Sequence, residues 1–154
     1  MADISDVEIF RAGIWNGDRH TVSDLDDMVD AFSLVGFLPP IKIGHADKSG
    51  GPAFGWVKSI RRVGNVLLAD FMDISSELLA MIKARAFDTV SAEIFFDVTR
   101  NGVKFRRVLK AVALLGAETP AVSGLAPLRT VVNTEISPGR PRTRPLQADL
   151  APLR

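Results

Sequence analysis

The sequence predicts a mostly-β α+β domain, with an antiparallel β-barrel or sheet as its core and helices packed around it. Three observations carry this. Strand-like segments dominate the first 130 or so residues, many of them alternating apolar and polar positions. Hairpin signals recur, notably Gly64-Asn65 and Asn101-Gly102. Only two segments have the apolar spacing of a helix.

In chain order, Val7 to Ile14 reads as the first strand and ends in the turn cluster Trp15-Asn16-Gly17-Asp18. A helix follows, with Ser23 as its expected N-cap and Asp24, Asp26 and Asp27 near its positive end. Leu25, Met28, Val29 and Phe32 form its apolar stripe, and Gly36 and Pro39-Pro40 end it. Ile41 to Gly44 is a short strand delivering His45, and the loop 47–52 has a flexible composition. Ala53 to Val63 and Val66 to Asp73 form a hairpin. Ser75 or Ser76 caps a second helix with Leu78, Leu79 and Ile82 on its buried face. Phe87 to Val98 and Val103 to Leu115 form the last hairpin, whose return strand turns from alternating to continuously apolar as it enters the core.

Two regions differ in composition. Residues 1–132 have the pattern of one folded domain. Residues 133–154 place Arg140, Arg142 and Arg144 among prolines with few apolar anchors, which predicts a disordered tail. The chain has 154 residues, 47% hydrophobic and 24% charged, which suffices for one real core. A net charge of +1 gives no global field toward nucleic acid or membrane, and the arginines of the tail are a weak signal for nucleic acid. No cysteine is present, so disulfides, thiolate metal sites and cysteine nucleophiles are excluded. The acidic N-terminal segment lacks the apolar run of a signal peptide, and no stretch approaches the ~18 residues of a membrane span. The expectation is a soluble cytoplasmic protein.

Little in the sequence looks chemical apart from one histidine and one serine. His45 stands just past a short apolar strand, where a group titrating near neutrality could take a proton from a hydroxyl and return it to a leaving group. Ser91 lies within a strand, sharing by alternation the polar face of Thr89 and Glu93, while Val90, Ala92 and Ile94 share the other. A serine is nucleophilic only with a base in reach and a third group orienting that base. Glu93, ~6–7 Å along the strand from Ser91, is the first candidate for that third group. Asp70, Asp47, Glu118 and His20 are its rivals. His20, just ahead of a helix start, reads as solvent-facing, and Arg106 and Arg107 as protection of an exposed strand. A metal site built from His20, His45 and Asp47 has no ligand motif, and no cofactor is expected.

These segments resemble the prohead (capsid-maturation) serine proteases of tailed phages, specifically the Mu-type protease I group. The matching stretches are Val7–Gly13, Pro40–His45, Phe54–Val57, Asn65–Asp70, Val90–Ile94 and Leu109–Gly116, followed by Pro120-Ala121. No single stretch is specific, but the ordered set is, and it covers roughly residues 7–125. The resemblance implies a fold similar to the herpesvirus assemblins, a β-barrel with surrounding helices. It implies an endopeptidase that cleaves the internal scaffold protein of an immature capsid, and its own chain, inside the prohead in the host cytoplasm. His45 matches the family's general base and Ser91 its nucleophile. The third member does not carry over: related proteases have an acidic residue where this chain has Ala111, and the herpesvirus enzymes use a second histidine. The homodimer of those enzymes is a further implication. Mu-type proteases usually continue into a charged, scaffold-like region, where this sequence has the Pro/Arg segment. The alternative reading is a noncatalytic module that keeps the protease fold and binds scaffold or capsid protein.

Overall fold

The computed structural model describes residues 1–45 and 51–132. The expected tail at 133–154 and Asp47 therefore lie outside the described residues. The chain forms β1 (Ala2–Arg11), β2 (Gly13–Trp15), β3 (Asp18–His20), α1 (Val22–Phe32), β4 (Ile41–Ile43), β5 (Trp56–Val63), β6 (Val66–Ile74), α2 (Ser76–Lys83), β7 (Thr89–Arg100), β8 (Val103–Leu115) and α3 (Arg129–Val132). This is a mostly-β α+β protein, and none of its described helices is long and apolar enough to cross a membrane.

The strands form two three-stranded sheets, ordered β1-β6-β5 and β4-β8-β7, and the small β2-β3 hairpin. All pairings are antiparallel except β4 with β8, which is parallel. Phe71, Ile9, Leu67, Ile41, Val112 and Leu114 are fully buried in one core that the two main sheets share.

The expected barrel does not close among the described residues. On one side the sheets are joined by a bridge between Pro40 and Trp56, and Ile41 N–H donates to the Gly55 carbonyl at 2.8 Å. On the other side β1 and β7 lie near each other without a ladder. The segment after β8 occupies the gap. Ala126 N–H donates to Glu8 Oε1 and Arg11 Nη1 to the Gly124 carbonyl, both at 2.9 Å, while Leu128 N–H donates to the Asp88 carbonyl at 2.8 Å. A segment bonded to β1 and to the start of β7 takes the place of direct pairing between them.

Several local expectations are corrected. The first strand does not run from Val7 to Ile14. Trp15 folds over Gly13, where a Cβ would stand 2.5 Å from the indole, and its Nε1 donates to the Arg11 carbonyl at 2.8 Å. That breaks the strand and starts the tight β2-β3 hairpin, whose turn residues Asn16 and Gly17 both have positive φ. The N-cap of α1 is Thr21, not Ser23. Thr21 Oγ1 accepts from Asp24 N–H at 3.1 Å and Asp24 Oδ2 accepts from Thr21 N–H at 2.8 Å, a reciprocal box that satisfies two otherwise free donors. Ser75 caps α2 as expected. The short α3 carries too little periodicity to be read from sequence.

The largest correction concerns His20 and Arg107. Both are buried rather than exposed, at 5% and 8% of their surface, and so is Asp24 at 4%. Arg107 Nη1 pairs with Asp24 Oδ1 at 2.8 Å, Arg107 Nε donates to His20 Nδ1 at 3.1 Å, and Arg107 Nη2 donates to the Arg19 carbonyl. One guanidinium thus ties β8 to β3 and to the first turn of α1. Breaking a buried pair by neutralising one partner leaves an uncompensated charge. Asp24→Asn is expected to destabilise the protein by about 3 kcal/mol or more in urea unfolding, whereas Asp27→Asn, at a more exposed position, should stay within about 0.5 kcal/mol.

Candidate active site

β8 is the middle strand of its sheet, and the site forms across it. Lys42 of β4 is in register with Ala113 of β8, which is in register with Ser91 of β7; Ala111 is in register with Glu93. Cross-strand partners project to the same face, as do residues two apart on one strand. Lys42, Ser91 and Glu93 therefore share a face with Ala111 and Ala113 between them. β4 and β7 lie roughly 9–10 Å apart across the middle strand. Alanine at both central positions leaves that span open, and the Lys42 and Glu93 side chains meet over it: Nζ lies 3.2 Å from Oε2 and 3.4 Å from Oε1.

His45 arrives from the end of β4. Gly44 N–H continues the parallel ladder by donating to the Leu114 carbonyl at 2.9 Å, and its φ of 67° then turns the chain off the sheet. That left-handed conformation costs any residue with a side chain about 1–2 kcal/mol, which explains glycine here. His45 Nδ1 then lies 2.6 Å from Glu93 Oε2. An ionised carboxylate only accepts, so Nδ1 is the donor and Nε2 of the neutral ring is left with a free lone pair. Burial pushes the Glu93 carboxyl up, but the hydrogen bonds from His45 and Lys42 and the Lys42 charge outweigh it and hold the group below its ordinary value. The third member favoured from sequence, Glu93, is thus the residue that meets His45. Lys42 escaped sequence reading; its signal was its position on the strand that delivers His45.

Ser91 is in place on this face but differs from expectation in being buried, with 7% of its surface exposed. Among the described residues its hydroxyl makes no hydrogen bond, to His45 or to any other side chain. Catalytic hydrogen bonds are often long before substrate binds. A buried hydroxyl without a partner is itself uncommon and calls for a reason.

The rivals to Glu93 lie elsewhere. Asp70 accepts from Ser59 Oγ at 2.8 Å, from Arg61 and from Asp6 N–H. Glu118 is exposed, and His20 is bound to Arg107. Arg106 and Arg107 are engaged with Asp24 and Asp27, so neither is available as an oxyanion donor. No cluster that could hold a metal ion is present among the described residues.

Two outcomes test this geometry. A carboxyl whose acidity is raised by folding stabilises the fold above its unfolded value of 4.5, and the contribution is lost as pH falls through the lower folded value. The stability gap between the wild type and Glu93→Gln, measured by urea unfolding, should therefore be wider at neutral pH than at about pH 3. Ala113→Leu should fill the space over the middle strand, cost about 1–3 kcal/mol and separate Lys42 from Glu93, read as a lost perturbation of the Glu93 carboxyl in a ¹³C titration.

No protein-family model matches the chain, and no curated protein matches it. Two crystal structures of Kaposi's sarcoma-associated herpesvirus protease, each in complex with an allosteric inhibitor, are similar to it in structure. One is 13% identical, with 81% of this chain and 73% of that chain covered and a TM-score of 0.43. The other is 15% identical, with 88% and 80% covered and a TM-score of 0.42. A likeness of this degree carries nothing about activity.

Proposed function

We propose that the chain is a serine endopeptidase in which Ser91 is the nucleophile, His45 the general base and Glu93 the group that orients the histidine. The observation that carries this reading is the 2.6 Å contact between His45 Nδ1 and Glu93 Oε2, on the sheet face where the buried Ser91 hydroxyl has no partner among the described residues. Glu93 selects the tautomer whose Nε2 can accept a proton and stabilises the imidazolium once it forms. Ser91 Oγ attacks the scissile carbonyl while its proton passes to His45 Nε2. The leaving amine takes that proton as the C–N bond breaks, and an ester to Ser91 remains. Water, deprotonated by His45, then attacks the ester, and the proton passes from His45 to Ser91 Oγ as the C–O bond breaks and the acid leaves. Lys42 keeps Glu93 ionised throughout.

The substrate we assign is the internal scaffold protein of a tailed-phage prohead, with this chain's own polypeptide as a second target. Support comes from the ordered strand motifs, Pro40–His45 and Val90–Ile94 above all. Action would take place within the immature capsid in the host cytoplasm, on the chain alone or as a homodimer.

A serine-directed phosphonate is expected to label the folded protein at Ser91 at neutral pH. Ser91→Ala should abolish both labelling and scaffold cleavage while unfolding as the wild type does, and Glu93→Gln should slow cleavage by on the order of 10³–10⁴. Absence of labelling in folded protein would instead favour a noncatalytic module that binds scaffold.

A further inference from the structure

The gap between β1 and β7 holds a cavity of about 140 Å³ on which the chemistry above makes no demand. Phe10, Trp15, Ala92, Ile94, Phe96 and Val122 give it apolar walls, and Ser91 borders it where β7 is the edge strand of its sheet. Its polar lining is His20, Asn16 and Asp18.

His20 is the informative group. Its Nδ1 receives a hydrogen bond from Arg107 Nε, and a guanidinium can only donate, so the proton of the neutral ring sits on Nε2. Burial, and then the adjacent Arg107 charge, push the ring's basicity down and keep it neutral. Arg107 occupies Nδ1, so Nε2–H is the ring group left for a ligand in the cavity that His20 lines. Among the described residues no acceptor is bound to Nε2, although His20 is about nine-tenths or more buried. A buried N–H without an acceptor is costly and rarely kept without use. The Phe10 ring stands edge-on to it at 4.9 Å and holds its plane.

We propose that this cavity is a substrate subsite beside the scissile bond, selective for a carboxamide side chain, glutamine or asparagine. The inference rests on the peptidase reading. The apolar walls take the stem of such a side chain. His20 Nε2–H donates to its carbonyl oxygen, and Asp18 and Asn16 can accept from its NH₂. A carboxylate has the acceptor but no donor, and it meets the Asp18 charge with no lysine or arginine among the described lining residues. An aliphatic side chain of equal size leaves the buried His20 N–H unpaired, which is the stronger basis for rejection.

Two measurements on the full chain test this. In a peptide library, glutamine or asparagine adjacent to the cut bond should exceed leucine and glutamate by about tenfold in kcat/KM. His20→Leu should bring the ratio of kcat/KM for glutamine over leucine down to about one, and His20→Gln should restore part of it. Independently of catalysis, in Ser91→Ala protein, N-acetyl-glutaminamide should shift the His20 Nε2 resonance in ¹H–¹⁵N spectra, and N-acetyl-leucinamide should not. An unchanged His20 signal, or a preference that survives His20→Leu, overturns the subsite even if Ser91 is labelled by phosphonate. A His20 signal that shifts in a protein whose Ser91 takes no label sinks the peptidase reading and leaves carboxamide binding standing.

Discussion

The parallel ladder between Ile41–Ile43 and Val112–Leu114 is the constraint on which the candidate site depends. It is only three residues long, yet it is fixed at both ends. Val112 N–H donates to the Pro40 carbonyl at 3.0 Å, Gly44 N–H donates to the Leu114 carbonyl, and Ile41 is wholly buried. A slip of one residue would turn Ile41 out of the core and swing Lys42 to the other face. The cost of exposing Ile41 therefore locks the register that brings Lys42 toward Glu93 and lets His45 reach it from the strand end.

The remaining geometry follows from side-chain size. Two alanines on the middle strand let charged groups from the flanking strands meet above it, where larger residues would fill the space. The carboxylate held there is drawn from one side by a lysine and from the other by a histidine. The lysine keeps it ionised and the histidine takes its orientation from it. The Arg107 network does comparable work beside the β2–β3 hairpin, where one buried guanidinium fixes a helix cap and the tautomer of His20. Among the described residues, two polar groups on or beside β7 have no partner, the Ser91 hydroxyl and the His20 N–H.

Closure of the sheets into a barrel would have removed the cavity between β1 and β7. The segment bonded to the Glu8 and Arg11 side chains and to the Asp88 carbonyl links the two strands in place of a ladder. That segment, 120–129, has no periodicity of its own, so its role is set by where its ends are anchored.

The sequence by itself determined most of the long strands, both main helices, the return strand of the last hairpin to the residue at Val103–Leu115, and the candidacy of His45, Ser91 and Glu93. These are local properties: alternation, helical spacing, turn residues with positive φ, and the rarity of chemically active side chains. What only the tertiary structure decided was which groups meet. That β4 runs parallel to β8, that Lys42 shares a carboxylate with His45, and that His20 and Arg107 are buried rather than solvated all depend on contacts between residues 48 to 88 positions apart in sequence. A charged or polar residue has the same local pattern whether it faces water or a buried partner, because the energy that separates the two cases lies in the partner.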